Sequence, residues 1–256
     1  MTTPYIGITD FLNFGQVREM FQVFEDHRPQ GSNRVLHVGV MMSYKTLHDI
    51  PSRWNNVFPP KDQIAEIFSS DKVYNCLHYA DYDTHPDLWK SLATAIFYGG
   101  IAINAIQLDM IWPDPREIEK GVRASRKPIE VILQIGKNAL EEVDNDPQKV
   151  VDRLSSYKGV IHRVLLDKSM GRGLGMNATS LIPYARAIRD SFPMLGIGAA
   201  GGLGPETTQL VEPLVNLFPD LSIDAQGQLR HSGNALDPID WSMAGNYLVK
   251  AHQLFA

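Results

Sequence analysis

The sequence lacks the features that mark secreted, membrane-bound and nucleic-acid-binding proteins. Cys76 is the one cysteine among 256 residues, so no internal disulfide can form. No apolar run approaches the roughly 20 residues that a transmembrane helix needs, and the N-terminal MTTPYIGITD has neither the basic flank nor the apolar core of a signal peptide. Lysine and arginine form no extended block, and the net charge is −5. We therefore expect a cytoplasmic globular protein, monomeric or homodimeric, that binds neither nucleic acid nor membranes.

The sequence also lacks a linker, a low-complexity segment and any repeat of domain-array type. It consists instead of short apolar runs, each followed by an amphipathic helical pattern. The eight runs that we predict as strands are 5–9, 34–43, 72–80, 101–110, 128–135, 159–166, 194–200 and 221–225. The main predicted helices are 16–27, 61–69, 87–98, 115–125, 147–157, 181–192, 208–218 and a last helix capped by Asp240. Continuously apolar strands are typical of a parallel sheet covered by helices, so residues 1–256 are predicted to form a single-domain TIM (β/α)8 barrel.

One stretch, 194–208, combines an apolar run with a glycine turn and a following helical pattern. Gly201 and Gly202 let the backbone turn sharply and approach a ligand closely. Pro205 then stands where a helix would begin, a position at which its missing amide hydrogen costs nothing. Free amides at such a turn are suited to bind phosphate or carboxylate. The alternative interpretation is a tight strand-to-helix turn without a ligand.

Polar residues at the ends of the predicted strands would meet at the catalytic mouth of the barrel. They are Asp10, Ser43, His78, Asp81, Asp109, Gln134, Asp167 and Lys168. Carboxylates that converge on one cavity raise one another's pKa and suit general acid–base catalysis. Asp167 is the strongest candidate, because it ends the apolar Val-Leu-Leu run and precedes a glycine-rich loop; a helix cap or a loop salt bridge is the alternative for each carboxylate.

A metal site is not expected. The four residues His78, Asp81, Asp83 and His85 match no compact zinc spacing and are interpreted as a solvated loop. His37 and Cys76 lie early or midway in apolar runs, so we predict that both are core residues.

Four segments of the sequence are similar to motifs of one enzyme family. Leu165-Leu166-Asp167 is followed by the glycine loop 171–175, and the segment AAGGLGPETT spans 199–208. Residues 106–108 are Ile-Gln-Leu, followed by Asp109, and a glycine-containing loop runs from Asp224 to Asp237. These segments resemble the LLD motif with its glycine loop, the AGGL-x-PEN motif, the QLH motif (with Asp109 in place of histidine) and, more loosely, the strand-eight loop of the phosphoribosylanthranilate isomerases of tryptophan biosynthesis, which are TIM barrels.

The resemblance implies an isomerase that performs an Amadori rearrangement on a small phosphorylated substrate without a cofactor. It implies Asp167 as the general acid, and main-chain binding of the phosphate by Gly201, Gly202, Gln226 and Gly227. Arg53 is the nearby candidate for the family's arginine that binds the anthranilate carboxylate.

Strand one departs from this family. The family's Lys-Ile-Cys-Gly supplies the base from its cysteine, whereas the corresponding residues here are Tyr5-Ile6-Gly7-Ile8, which places Gly7 at the base position. Asp10 and Asp109 are the candidates for a replacement base. The loss of a general base costs about 10²- to 10⁴-fold in rate.

Two alternatives stay open at this point. Residues 36–41, Leu-His-Val-Gly-Val-Met, resemble the His-Val-Asp-Val-Met run of ribulose-phosphate 3-epimerases, with Gly39 where that family has an aspartate. The second alternative is a barrel that binds a phosphorylated ligand without catalysis. Such a protein would also have the phosphate-binding loop of the family but not its catalytic base.

Overall fold

The computed structural model describes residues 2–167 and 177–256 and contains a closed barrel of eight parallel strands. The strands are β1 (Tyr5–Thr9), β2 (Val35–Ser43), β3 (Tyr74–Ala80), β4 (Ala105–Asp109), β5 (Glu130–Gly136), β6 (Arg163–Asp167), β7 (Gly196–Ala200) and β8 (Ser222–Ala225). Each strand pairs with the next, and β8 pairs with β1. The TIM-barrel prediction is therefore confirmed. The predicted glycine loop 171–175 and Lys168 lie outside the described residues.

Helices surround this barrel. The α-helices of the described residues are α1 (Phe14–His27), α2 (Tyr44–Leu47), α3 (Ile64–Ile67), α4 (Leu88–Tyr98), α5 (Pro115–Ser125), α6 (Lys137–Glu141), α7 (Pro147–Leu154), α8 (Ala178–Ser191), α9 (Glu212–Val215) and α10 (Trp241–Leu254). One large core cluster packs the outer faces of the strands against these helices, and a smaller cluster fills the barrel interior. None of the helices found in residues 2–167 and 177–256 is long and apolar enough to cross a lipid bilayer.

Several predicted boundaries were wrong, each for a local reason. The helix predicted over 208–218 is divided into a 3-10 turn, Thr208–Val211, and the short α9, because Pro213 has no amide hydrogen to continue the helical ladder. Strand six begins at Arg163 rather than at residue 159, because Gly159 adopts a left-handed turn with φ of +81°. The loop predicted over 44–60 contains α2 and a 3-10 turn, Arg53–Asn56.

The bottom of the barrel is closed by an arginine. Arg163, at the start of β6, donates to the Glu130 carboxylate over 2.8 Å, and its guanidinium carbon lies 5.5 Å from the ring centre of Tyr5 and 5.1 Å from that of Tyr74. A charge this deeply buried requires such a partner. Because the interior is filled at this end, a ligand can enter from the carboxyl ends of the strands.

Candidate functional site

A cavity of about 800 Å³ opens at the carboxyl ends of the strands. Its lining includes carboxylates from β3, β4, β6 and β8 or from the loops that follow them, namely Asp81, Asp83, Asp109, Asp167 and Asp224. Cationic side chains lie in the same lining, namely Lys45, Arg53 and Lys137. The cavity is the size of a small-molecule site, and it lies where TIM barrels place their active sites.

Asp109 and Asp167, both candidates from the sequence, line this cavity together. The Tyr82 hydroxyl donates a hydrogen bond to the Asp109 carboxylate. Burial raises the pKa of Asp109 to about 6; the Tyr82 hydrogen bond opposes this rise, and the nearby Asp167 carboxylate adds to it. Asp109 can therefore change its protonation state near neutral pH, as a general acid or base must.

Asp10, the other candidate base, occupies a different environment. It follows β1 with φ of +90°, an unusual backbone angle for a residue other than glycine, and it is not part of the cavity lining. Its Oδ2 accepts hydrogen bonds from Arg230 and from the Gln226 amide, the latter over 3.0 Å. This buried pair ties the end of β1 to the β8 loop, so Asp10 holds the loop in place rather than facing a ligand.

The sequence interpretation did not include Asp224 among the catalytic candidates, although this residue lines the cavity from the inner face of β8. The Thr9 hydroxyl donates to its Oδ2 over 2.9 Å, and its Oδ1 lies 3.8 Å from Nδ1 of His37. Burial raises the pKa of Asp224 to about 7; the Thr9 hydrogen bond opposes the rise, and the Asp10 and Asp167 carboxylates add to it. An aspartate between Ile223 and Ala225, inside a predicted strand rather than after its end, was the available signal.

Gly7 makes room for this group. In the barrel register it lies opposite His37 on β2 and opposite Asp224 on β8. A Cβ atom at position 7 would lie 2.6 Å from Oδ1 of Asp224 and 2.8 Å from Nδ1 of His37, closer than real Cβ contacts come. The two neighbouring side chains therefore occupy the space into which a side chain from strand one would project.

A chain of hydrogen bonds begins at His37, whose Nδ1 makes no hydrogen bond to Asp224, and runs around the barrel interior. Nε2 of His37 lies 3.3 Å from Nε2 of His78, and Nδ1 of His78 lies 3.2 Å from the Gln107 amide nitrogen. Gln107 donates to Gln134 over 3.0 Å, and Gln134 donates to Oδ2 of Asp167 over 3.4 Å. Burial lowers the pKa of His78 to about 3, so both its ring and that of His37, whose pKa is lowered for the same reason, are neutral. The network thus fixes the orientation of the polar groups from His37 to Asp167.

The predicted phosphate-binding residues lie together on the β7 and β8 side of the cavity. Gly201 and Gly202 have φ of +102° and +72°, angles that favour glycine, and both line the cavity with Gln226 and Gly227. The two loops touch at Gly204, where a Cβ atom would lie 2.6 Å from the Gln228 carbonyl oxygen. The helix N-terminus predicted after β7 is only the 3-10 turn at 208–211, so the amides of the turn itself are what this region offers to an anion.

Arg53 lies on the β2 side of the same cavity. Its guanidinium carbon is 4.9 Å from the centre of the Trp54 ring, and Trp54 stacks on Phe58 with ring centres 5.2 Å apart. All three residues line the cavity. The arrangement combines a cation with flat apolar surface, which suits an anionic or aromatic group of a ligand.

The prediction of a solvated loop was wrong for His78 and Asp81, which are buried, whereas the His85 side chain is 27% exposed. His78 is 4% exposed and belongs to the barrel interior, whereas Asp81, also 4% exposed, accepts a hydrogen bond from His85. Only Asp83 is largely exposed. Spacing along the chain could not reveal this, because residues 81–87 fold back on themselves through left-handed angles at Thr84 and Asp87.

Within the described part of the chain, one group of three side chains could reach a common metal ion. It comprises His37, Cys76 and His78, whose ligand atoms lie within 4.8 Å of one another. The two histidine Nε2 atoms already pair with each other, and burial raises the pKa of the Cys76 thiol, which disfavours the thiolate that a metal requires. The predicted core positions of His37 and Cys76 are confirmed, since neither is exposed.

Comparison with known proteins supports the fold alone. No protein-family model matches the chain, and no curated protein sequence matches it. Among solved structures, the tryptophan synthase α subunit of Legionella pneumophila is similar at 13% identity and a TM-score of 0.56, over 98% of this chain and 91% of that one. The active domain 2 of a chitinase from Pyrococcus furiosus is similar at 11% identity and a TM-score of 0.58, over 99% and 97%. A phosphonopyruvate hydrolase is similar at 11% identity and a TM-score of 0.53, over 87% and 75%.

Proposed function

We propose that this barrel is a general acid–base enzyme that isomerises a small phosphorylated substrate, as its resemblance to phosphoribosylanthranilate isomerase implies. The observation that carries the proposal is the geometry at Gly7. The place where that family has its catalytic cysteine is filled by the Asp224 carboxyl group, whose nearest oxygen lies 2.6 Å from the position of a Cβ at residue 7. A base from β8 therefore replaces the base missing from β1.

The roles of the carboxyl groups follow from their environments. Asp224, with its pKa raised to about 7, removes the proton from the substrate carbon. Asp167 is the general acid on the sugar oxygen, and Gln134 orients it by a hydrogen bond. Asp109, with its pKa raised to about 6, is the second candidate base. Two titratable groups with different environments in one cavity are what acid–base isomerisation requires.

The phosphate is bound by main-chain amides of the β7 and β8 loops. Gly201, Gly202 and Gly227 line this side of the cavity, and two of the three have left-handed backbone angles. Consecutive glycine amides in such turns converge on an anion. TIM barrels that act on phosphorylated compounds frequently bind the phosphate at these two loops.

The epimerase alternative lacks support. A Cβ at Gly39 would lie 2.4 Å from Oγ1 of Thr9 and 3.0 Å from Nε2 of His78, so the aspartate of that family would not fit at this position. The remaining alternative is a barrel that binds phosphate without catalysis, and the following experiment distinguishes it from an enzyme.

The test combines ligand binding with proton exchange. Thermal unfolding is measured with inorganic phosphate, ribose 5-phosphate and a reduced anthranilate–ribulose phosphate product analogue. Turnover of phosphoribosylanthranilate and exchange of the C2 proton of sugar phosphates in D2O are then followed by NMR. A ligand at 100 times its Kd stabilises by about 2.7 kcal/mol.

We expect stabilisation and exchange in the wild type, and a loss of exchange of about 10²-fold or more in Asp167→Asn and in Asp224→Asn. The same change at Asp190, an exposed carboxylate on α8, serves as the control. Stabilisation without turnover or exchange would indicate the non-catalytic barrel. Absence of both would overturn the proposal.

A further inference from the structure

The loop that follows β3 contains a second acid–base group. Nδ1 of His85 lies 2.7 Å from Oδ1 of Asp81, and the main-chain amide of His85 donates to Oδ2 of the same carboxylate over 3.2 Å. The Asp81 side chain is 2% exposed, whereas that of His85 is 27% exposed and lines the cavity. A buried carboxylate thus holds a histidine ring whose other edge is accessible.

The ring of His85 is held on its face as well as at its edge. It stacks on Tyr44, with ring centres 3.5 Å apart and planes inclined by 4°. Because Asp81 accepts the hydrogen on Nδ1, the neutral ring carries its lone pair on Nε2. Nε2 makes no hydrogen bond with any residue in 2–167 or 177–256, so this nitrogen is available to a ligand.

This group lies across the cavity from the glycine turns. In a closed barrel of eight strands, β3 is four strands away from β7, and residues of both loops line the same space. A ligand whose phosphate lies at Gly201 and Gly202 therefore presents its other end toward His85.

We propose that His85 is a catalytic residue that exchanges a proton with a hydroxyl group at the end of the substrate opposite the phosphate, and that Asp81 is the positioning residue that directs Nε2 toward it. This inference rests on the proposed function. The substrate class is accordingly a phosphate ester with a hydroxyl group at its far end.

The proton transfer balances without any further reactant. The Nε2 lone pair of His85 takes the hydroxyl proton, the O–H electron pair stays on the substrate oxygen, and the imidazolium charge is stabilised by the Asp81 carboxylate. As the O–H electron pair forms the new carbonyl bond, the electron pair of the enol double bond moves to the neighbouring carbon, and that carbon takes the proton back from the imidazolium. His85 and Asp224 then act at different atoms of the substrate, since His85 lies in the loop after β3 and Asp224 lies on β8.

The chain offers a matched control for this pair. Nε2 of His231 lies 2.8 Å from Oδ2 of Asp240, but the His231 side chain is 82% exposed and does not line the cavity. His231 thus has the same kind of contact with an aspartate but lies outside the cavity. His231→Gln should leave turnover unchanged, which makes it the control for His85→Gln.

The kinetic test compares His85→Gln, Asp81→Asn and the double variant with the wild type, after thermal unfolding has established that each variant folds. We expect His85→Gln to lower kcat about 10²-fold with little change in the phosphate-induced stabilisation. Asp81→Asn keeps an acceptor oxygen for Nδ1–H but removes the charge, so kcat should fall less. The double variant should be no slower than His85→Gln, because Asp81 acts through His85. Turnover of His85→Gln within threefold of the wild type, or additive losses in the double variant, would overturn the proposal.

A second readout does not depend on turnover. The imidazole 15N resonances of the wild type should identify His85 as the Nδ1–H tautomer, and ribose 5-phosphate should shift its Nε2 resonance but not that of His231. Asp81→Ala should weaken the tautomer preference. An Nε2–H tautomer in the wild type, or binding of ribose 5-phosphate without a change at His85, would overturn the proposal. If no phosphorylated compound binds, the phosphate site of the proposed function is overturned. The 15N measurement of the His85 tautomer would still show whether the Asp81–His85 pair has the required geometry.

Discussion

The substitution Asp224→Asn should change how the stability of the protein depends on pH. The ordinary pKa of this carboxyl group is 3.8, and burial raises it to about 7 in the folded protein. Between these values the folded chain keeps a proton that the unfolded chain has released. The free energy of unfolding contributed by Asp224 therefore falls as the pH rises, by nearly 1.4 kcal/mol per pH unit. Asparagine resembles the protonated side chain but cannot ionise, so it removes this dependence.

The magnitude can be isolated by subtraction. Burial lowers the pKa of His78 to about 3 and that of His252 to about 4, so these two histidines make the free energy of unfolding rise as the pH rises in the acid range. Both proteins contain them, so the difference in free energy between wild type and variant isolates the contribution of Asp224. Between pH 5 and pH 7 the variant should gain about 2 kcal/mol relative to the wild type, or about 4–8 °C in Tm, with no further gain above pH 8.

The assay is urea or thermal unfolding of both proteins in a series of buffers, with Asp190→Asn as the exposed control. A difference between wild type and Asp224→Asn that is constant from pH 5 to pH 8 would refute the reasoning. The Asp224 carboxyl group would then ionise in the folded protein as it does in the unfolded chain. It would also lose its suitability as a base that titrates near neutrality.

Three further substitutions test the geometry of the site. Gly7→Cys should lower the free energy of unfolding by about 1–3 kcal/mol and should not raise proton exchange, because its Cβ would lie 2.6 Å from Asp224; faster exchange would contradict the proposed replacement of the base. Gly204→Ala should lower the free energy of unfolding by a similar amount and weaken phosphate binding, since its Cβ would meet the backbone of the β8 loop. Gly245→Ala on α10 is the control: its Cβ would have contacts of 3.8 Å and more, so it should be neutral or stabilising in the same unfolding assay. Arg230→Ala leaves the buried carboxylate that it pairs with uncompensated and should cost about 3–5 kcal/mol, measured by urea unfolding; a loss below 1 kcal/mol would show that this carboxylate is solvated.

The sequence was sufficient for the fold because the periodicity of apolar runs is a local property. Eight runs without a linker predicted eight strands, and the residues that end β4 and β6, Asp109 and Asp167, could be placed at one mouth. Boundaries failed where one residue determined the backbone angle, as at Gly159. Strand ends are thus the part of a candidate site that a single sequence predicts well.

The rest of the site depends on contacts between distant residues. The sequence favoured Asp10 as a base because it ends β1, but its pairing with Arg230 joins residues 220 positions apart. Asp224 was missed because its importance arises from the lateral register of β8 with β1. The Asp81–His85 pair was interpreted as solvated because nothing in the spacing shows that the loop folds back on itself.

Glycine on the inner face of the barrel explains how the polar interior is accommodated. Gly7 on β1 and Gly39 on β2 carry no side chain where neighbouring strands project theirs, and Cβ atoms there would collide with His37, His78, Thr9 or Asp224. In a barrel filled mainly by bulky apolar side chains, such gaps are where polar groups from different strands can meet. The absence of a cysteine from strand one is therefore the condition for the Asp224–His37 contact. Under the proposed function, the base lies at the same place in the barrel as in phosphoribosylanthranilate isomerases, but β8 supplies it instead of β1.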